Sequence, residues 1–166
     1  MDLSIENTKI EGVKKINYDR FVDFRGSIWT TFLDNKIKNI KFNHDKFSVS
    51  NKDVIRGIHY DNKTFKLVTA VYGAIDQVVV DMRKDSDTYK ESLIFNIDDN
   101  KRFSILIPPM VGNGFRVKSE VAVYHYKLSY TGKYLDADNQ YTLKWDDSTI
   151  AINWECENPI LSNRDS

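Results

Sequence analysis

Short runs of β-branched and aromatic residues follow one another along most of this chain, and no long window has a helical period. The apolar runs are 27–33, 67–72, 75–82, 92–97, 103–107 and 115–128. Turn-forming residues are concentrated between them, at Gly73, 84–87, 98–100 and the triplet Gly112-Asn113-Gly114. Only residues 33–40 could form a short helix. The pattern predicts an all-β protein, an antiparallel β-sandwich or jelly roll with short peripheral helices, formed by a single domain over residues 1–166.

The run 121–128 has the clearest alternation. Because successive side chains of a strand point to opposite faces, one face carries Ala122, Tyr124, Tyr126 and Leu128, and the other carries Val121, Val123, His125 and Lys127. Two tyrosines therefore project on the same side. Aromatic side chains on strands usually fill a core, so the spacing alone leaves open whether Tyr126 belongs to a core or to a site.

Residues 54–60, with the sequence VIRGIHY, set an arginine and a histidine three positions apart around a glycine. On a regular strand Arg56 and His59 would point to opposite faces, unless Gly57 permits a bulge. A single histidine on a strand is more often structural than catalytic. If His59 lies in a cleft, it could act as a general base, because imidazole titrates near neutral pH.

Charge and composition exclude several classes of protein. Lys plus Arg and Asp plus Glu both total 24, so a surface for nucleic acid or for an anionic membrane is disfavoured. The N-terminal residues lack the features of a signal peptide, Cys156 is the single cysteine, and no run is long and apolar enough to span a bilayer. We expect a soluble cytoplasmic protein.

The side chains available for chemistry favour acid–base catalysis without a metal or another cofactor. The three histidines are His44, His59 and His125, and none forms the His-x-His pair with which many cupins bind a cation. The chain also lacks the motifs of serine hydrolases, phosphate-binding loops and dinucleotide-binding turns. The sequence therefore predicts a metal-free site that uses proton transfer.

Several segments, taken in order, resemble the dTDP-4-dehydrorhamnose 3,5-epimerases. They are 23–26 (DFRG), 48–50 (SVS), 54–59 (VIRGIH), 66–68 (KLV), 79–84 (VVDMRK), 107–109 (IPP), 126–127 (YK), 145–147 (WDD), 152–154 (INW) and 159–165 (PILSNRD). The resemblance implies a metal-free cupin-type jelly roll and a homodimer. It also implies a reaction, epimerisation at C3 and C5 of a nucleoside-diphosphate 4-keto-6-deoxy sugar.

The same resemblance implies roles for individual residues. The family's catalytic base matches His59, its partner carboxylate Asp165, its enolate-stabilising lysine Lys66 and its opposite-face proton donor Tyr126. Two arginines match substrate-binding positions, Arg56 at the sugar nucleotide and Arg25 at the diphosphate. Further substrate contacts are expected from Ser48, Asn113, Lys46 and His44. The segment 23–29 is a candidate to cross between subunits of the dimer, so that Arg25 would serve the neighbouring pocket.

Some residues depart from the family pattern. Asn113 lies in Gly112-Asn113-Gly114-Phe115, where the family typically has Ala-His-Gly-Phe, and residues 44–46 replace a stretch that usually carries Gln and Asn. With these differences and with residues 124–130 (YHYKLSY) and 132–137 (GKYLDA), the chain resembles the capsular-polysaccharide heptose epimerases. That resemblance implies a GDP-linked 4-keto-6-deoxy-heptose as substrate and epimerisation at C3 alone or at C3 and C5. The alternatives are a dTDP-4-dehydro-6-deoxyglucose 3,5-epimerase, a sugar-nucleotide ketoisomerase and a non-catalytic sugar-binding cupin.

Overall fold

The computed structural model describes residues 2–135 and 137–166, and every strand pair in it is antiparallel. Within these residues one sheet has six strands. Their spatial order is β1 (Leu3–Asn7), β2 (Lys14–Tyr18), β10 (Phe103–Ile107), β7 (Phe65–Tyr72), β12 (Val121–Ser129) and β5 (His44–Asn51). Strand β5 forms an edge, and β12 lies between it and β7.

The second large sheet has five strands in the described part of the chain. Their order is β13 (Tyr141–Thr142), β6 (Ile55–Tyr60), β11 (Val111–Val117), β8 (Ile75–Asp81) and β9 (Ser92–Ile97). A separate hairpin is formed by β3 (Arg20–Asp23) and β4 (Gly26–Trp29). The predicted all-β class is confirmed, and the two antiparallel sheets form the expected jelly-roll sandwich.

The principal hydrophobic core fills the space between the two sheets. It is formed by alternate residues of strands from both sheets, such as Val68 and Ala70 of β7, Val79 of β8 and Phe115 of β11. The face of β12 predicted to carry Ala122, Tyr124, Tyr126 and Leu128 does point inward, and all four are buried or partly buried. Tyr124 is fully buried and stacks on Phe115.

Each sheet is also covered on its outer face by a segment without regular structure. Residues 32–42 cover the six-stranded sheet, where Ile37 packs against Leu67 and Leu106. The C-terminal segment covers the five-stranded sheet through Ile150 and Trp154, which pack against its outward residues. These coverings explain why the inner strands β7, β8, β10 and β11 are buried on both faces along most of their length.

The predicted helix at 33–40 is wrong, since this stretch consists of turns. Its apolar residues have a helical spacing because they contact the sheet, but Asn39 has a positive φ of 66°, which no α-helix allows. The sequence also predicts short peripheral helices. Among the described residues the only helical element is a single 3₁₀ turn, Ala137–Asn139. Nothing in that part of the chain is a helix long and apolar enough to cross a membrane.

The predictions of one continuous run at 115–128 and of a turn at the glycine-containing triplet before it are also wrong. The run 115–128 is two strands, β11 and β12, separated by residues 118–120. The triplet Gly112-Asn113-Gly114 lies inside β11 and is not a turn. Its glycines allow β6 to come close, because a Cβ on Gly112 would lie 2.5 Å from the Ile58 side chain.

Candidate active site

A cavity of about 340 Å³ opens between the two sheets at one end of the sandwich. Seven of the residues predicted for the site line it, and they come from five strands and the C-terminal segment. They are Lys46, Arg56, His59, Lys66, Asn113, Tyr126 and Asp165. The remaining lining residues are Leu128, Tyr134, Gln140, Ser162 and Arg164. Polar and charged side chains therefore dominate a cavity that lies directly beside the apolar core.

A bulge in β6 brings Arg56 and His59 to the same face. The register with β11 shifts between Arg56, which pairs with Phe115, and His59, which pairs with Asn113. Gly57 lies within the shift with a φ of 107°, and a Cβ there would come 2.5 Å from the carbonyl oxygen of Asn113. Only glycine fits this conformation and this approach. The bulge that the sequence allowed is thus present, and both side chains reach the cavity.

Nε2 of His59 lies 2.8 Å from Oδ1 of Asp165, at ion-pair distance. The other carboxylate oxygen, Oδ2, accepts a hydrogen bond of 2.8 Å from the Ser162 hydroxyl. Burial alone would raise the pKa of Asp165, but the contacts with His59 and Ser162 outweigh it, and the pKa lies below its usual value. The carboxylate is therefore ionised at neutral pH and favours the tautomer with its proton on Nε2.

The C-terminal segment is held beside β6 by backbone contacts. Ile160 forms a parallel bridge with Val54, with hydrogen bonds of 3.1 Å from the Ile55 amide to Ile160 and 2.9 Å from the Ile160 amide to Asp53. A turn then follows, in which the Asp165 amide donates to the Ser162 carbonyl over 3.0 Å. This anchoring fixes Asp165 next to His59.

Nδ1 of His59 lies 3.2 Å from the hydroxyl of Thr142 in β13. The same hydroxyl accepts a 3.2 Å hydrogen bond from Nε of Arg164. Because arginine can only donate, the hydrogen of Thr142 remains available to Nδ1. Both nitrogens of the imidazole therefore have a defined neighbour.

Lys66 of β7 is buried, and its Nζ donates a 3.0 Å hydrogen bond to the carbonyl oxygen of His59. Burial lowers the pKa of Lys66 to about 8, with Asp61 acting in the opposite direction and the positive charges of Lys46 and Arg164 adding to the decrease. The ammonium group is thus a cation in a desolvated position, and its pKa lies close to neutral pH.

Tyr126 of β12 also lines the cavity. Its ring packs edge-on against Tyr124, with centroids 4.5 Å apart. Burial raises the pKa of Tyr126, partly opposed by the neighbouring hydroxyl of Ser48 and the charge of Arg56. The phenol therefore stays protonated throughout the neutral range and is available as a proton donor.

Positive charge predominates among the lining residues of the cavity. Lys46, Arg56, Lys66 and Arg164 are cationic, and Asp165 is the single carboxylate that lines the cavity in the described residues. Arg56 is held by a 2.9 Å hydrogen bond from its Nε to Ser50. Nη2 of Arg164 is buried and has no hydrogen-bond partner among residues 2–135 and 137–166. Such an arrangement suits an anionic ligand with several oxygen atoms.

Three of the predicted binding residues are not part of the cavity lining. Ser48 lies on the same inward-facing side of β5 as Lys46, and its hydroxyl neighbours Tyr126. His44 lies at the beginning of β5, with its Nδ1 3.3 Å from the Tyr130 hydroxyl. Arg25 lies on the β3–β4 hairpin, paired with Asp23 over 2.6 Å, with 74% of its side chain exposed.

Sequence reasoning did not single out several residues that contact the predicted ones. Thr142 lies in a strand of two residues, which no periodicity reveals. Gln140 donates over 3.2 Å to Asp61, which lies behind Lys66. Arg164 and Ser162 lie within the segment 159–165 that resembles the family, so their closeness to Asp165 in the sequence is a signal that identifies them.

Across residues 2–135 and 137–166, no group of three or more His, Cys, Asp and Glu side chains could hold a metal ion.

Known proteins resemble the chain along nearly its whole length. A family model described as dTDP-4-dehydrorhamnose 3,5-epimerase matches residues 7–166. A protein of that name from Shigella flexneri is 30% identical over 98% of this chain and 93% of its own length. Another from Neisseria gonorrhoeae is 33% identical over 98% of this chain, which spans about half (51%) of that longer protein.

The fold is likewise found in solved structures. One is a dTDP-6-deoxy-D-glucose-3,5-epimerase from Legionella pneumophila, crystallised in complex with dTDP-4-keto-L-rhamnose. It superimposes with a TM-score of 0.90 at 28% identity, covering 99% of this chain and 90% of the Legionella chain. Sequence and structure therefore agree on one family.

Proposed function

The chain belongs to the dTDP-4-dehydrorhamnose 3,5-epimerase family, and on this premise we propose that it epimerises a nucleoside-diphosphate 4-keto-6-deoxy sugar at the carbons next to the ketone. The main support for the proposal is that His59, Lys66 and Tyr126 line the same cavity. A base, a cation and a proton donor are what such a reaction needs. Since the reaction only moves protons, its atoms and electrons balance without a redox cofactor.

His59 removes the proton. A ketone at C4 acidifies the hydrogens on C3 and C5, so a base of ordinary strength can take one of them. Asp165, 2.8 Å from Nε2, stabilises the imidazolium that forms and keeps the ring in one orientation. In the neutral ring the lone pair is then on Nδ1, and the Thr142 hydroxyl, which lies 3.2 Å from this atom, yields to the sugar.

Lys66 stabilises the charge that develops on the C4 oxygen. When the proton leaves carbon, the electron pair moves into the carbonyl group and gives an enolate. An ammonium group that is already desolvated and fixed in position interacts with this oxygen more strongly than water would. The buried position of Lys66 and its hydrogen bond to the His59 carbonyl meet both requirements.

Tyr126 returns a proton to the opposite face of the carbon. Inversion needs a donor across the sugar ring from the base, and a phenol that stays protonated at neutral pH is suitable. Tyrosinate formed in this step would then regain its proton from solvent, as His59 would lose its own. Repetition at the second carbon would invert both centres.

For the nucleotide, we propose a dTDP-linked 4-keto-6-deoxy-hexose as the substrate. The relatives carry dTDP in their names, and the Legionella structure holds dTDP-4-keto-L-rhamnose. A GDP-linked 4-keto-6-deoxy-heptose, expected from the departures at Asn113 and at 44–46, is the second candidate. Lys46, Arg56 and Arg164 would bind diphosphate or sugar oxygens in either case.

A homodimer completes the proposal. The β3–β4 hairpin exposes Phe21, Val22, Phe24 and Ile28, and Phe24 is 98% exposed. An apolar hairpin of this kind gains stability when another surface covers it. Packing against a second copy would cover these residues and bring Arg25 towards the neighbouring cavity.

The experiment is proton NMR in deuterated water with dTDP-4-keto-6-deoxy-D-glucose and, in parallel, GDP-4-keto-6-deoxy-heptose. We expect deuterium at C3 and C5 of the dTDP sugar, and none with His59→Asn. Exchange confined to the GDP sugar would reassign the substrate, and exchange at C3 alone would reassign the regiochemistry. Absence of exchange with both sugars would refute the epimerase proposal.

A further inference from the structure

Three polar side chains form a hydrogen-bonded group directly behind the cavity. They are Gln77 of β8, Asn113 of β11 and Tyr124 of β12, with exposed fractions of 0%, 7% and 0%. The Tyr124 hydroxyl donates to Oε1 of Gln77 and also lies 3.2 Å from Oδ1 of Asn113. Of the three, Asn113 alone lines the cavity.

The backbone fixes the orientation of the Gln77 amide. Its Nε2 lies 2.9 Å from the carbonyl oxygen of Val78 and 3.0 Å from that of Gly114. Carbonyl oxygens only accept, so a flipped amide would set its oxygen against two other oxygens in a buried position. Nε2 must therefore face this side, where Oδ1 of Asn113 lies 2.8 Å away and shares the two amide hydrogens with the two carbonyl oxygens.

The orientation of Gln77 in turn fixes Asn113. Because Nε2 of Gln77 can only donate, the Asn113 oxygen must point towards it, and the Asn113 NH₂ group points away. Asn113 pairs with His59 across β6 and β11, so the two side chains project from the same face. The amide hydrogens are thus presented to the cavity next to the imidazole.

We propose that Gln77 is a positioning residue that fixes Asn113 as a hydrogen-bond donor to the C4 oxygen of the sugar, where it acts together with Lys66. This inference rests on the proposed function, since it requires a ketone that becomes an enolate. The carbon that His59 deprotonates is adjacent to C4, and a donor beside His59 is therefore close to that oxygen. A preorganised donor at a developing oxyanion accelerates the reaction because its hydrogen bond strengthens as charge appears.

The first test uses Asn113→Asp and Asn113→Ala with dTDP-4-keto-6-deoxy-D-glucose. Asp keeps the shape and the acceptor facing Gln77 but removes the donor, and Ala removes the whole amide without adding charge. We expect kcat to fall about a hundredfold in both, which is the usual size for the loss of one oxyanion donor. KM should change much less, because the contact is strongest in the transition state.

The second test separates positioning from stability. Gln77→Met fills a similar volume but frees the Asn113 amide to rotate, so kcat should fall about tenfold, less than with loss of the amide itself. In the double variant with Asn113→Ala, kcat should fall no further than in Asn113→Ala alone. Tyr124→Phe is the matched control, because it removes a buried hydroxyl from the same group and leaves the two carbonyls that orient Gln77. It should lower Tm while kcat stays within about twofold.

The outcomes distinguish this inference from the proposed function. If the wild type exchanges deuterium and Asn113→Ala keeps its kcat, the inference is wrong and the epimerase proposal stands. An additive effect of Gln77→Met and Asn113→Ala would also overturn the positioning role. If the wild type exchanges no deuterium with any 4-keto sugar, both are overturned.

Discussion

The imidazole of His59 and the carboxylate of Asp165 lie 2.8 Å apart, although one belongs to strand β6 and the other to an irregular C-terminal segment. The position of the carboxylate depends on the bridge between Val54 and Ile160 and on the turn that follows it. The proposed base is therefore oriented by a segment that lies outside both sheets.

Asp165→Asn tests this relationship. The amide has the same size and keeps an oxygen for Ser162, but it cannot stabilise an imidazolium. We expect kcat for deuterium incorporation to fall about a hundredfold or more, within the range for loss of acid–base assistance. Ser162→Ala, which removes only the 2.8 Å hydrogen bond to Oδ2, should have a smaller effect. A wild-type rate in Asp165→Asn would remove the carboxylate from the mechanism.

Tyr126→Phe should separate proton removal from inversion. His59 would still take a proton from carbon and return one from solvent to the same face, so the substrate should gain deuterium while its configuration is retained. The inverted product should fall about a hundredfold. Proton NMR distinguishes the two, because exchange removes a signal and inversion changes the couplings. Equal loss of exchange and inversion would mean that Tyr126 does not act as the opposite-face donor.

The pKa of Lys66, lowered to about 8 by burial, predicts the alkaline limit of activity. Below that pH the side chain is a cation and can stabilise the enolate. As the pH rises through about 8 the cation is lost, and kcat should fall with it. Asp61 raises the pKa of Lys66, so Asp61→Asn should move the alkaline limb to lower pH. If the alkaline limb of the pH profile stays in place in Asp61→Asn, or persists in Lys66→Met, then it reports the titration of another group.

The fold was largely predictable from the sequence, because strands buried between sheets are rich in β-branched and aromatic residues. Residues 92–97 and 103–107 coincide with β9 and β10. Strands β1, β2 and β5 were not found, since charged and polar residues interrupt their apolar positions. The helix predicted at 33–40 is wrong for the opposite reason, because the apolar spacing there reflects contact with a sheet.

The sequence predicted most of the residues that line the site, but few of the contacts between them. The Gly57 bulge could be stated as a condition, because only a bulge unites Arg56 and His59 on one face. No local pattern reveals that Gln77 meets Asn113, since that contact depends on the register between β8 and β11. The pairing of Thr142 with His59 depends likewise on tertiary structure. The sequence thus indicates which residues take part in the site, but the contacts between residues of different strands depend on how the strands pair in the sheets.

Arg25 provides the test of the dimer. Its hairpin is exposed, and its side chain is no part of the cavity formed within the described residues of one chain. If it serves the neighbouring subunit, Arg25→Ala and His59→Asn should each be impaired as homodimers. A heterodimer carrying one substitution on each chain should regain roughly half the wild-type activity, because one of its two sites has both residues intact.

The heterodimer is obtained by coexpression with two different tags and two affinity steps, and the separately purified variants, mixed without exchange, are the control. Light scattering gives the oligomeric state of each. Recovery requires that base and arginine come from different chains, since a site assembled from one chain would lack one of them in either subunit. An inactive heterodimer would therefore assign Arg25 to its own subunit, and a fully active monomer would exclude the shared site altogether.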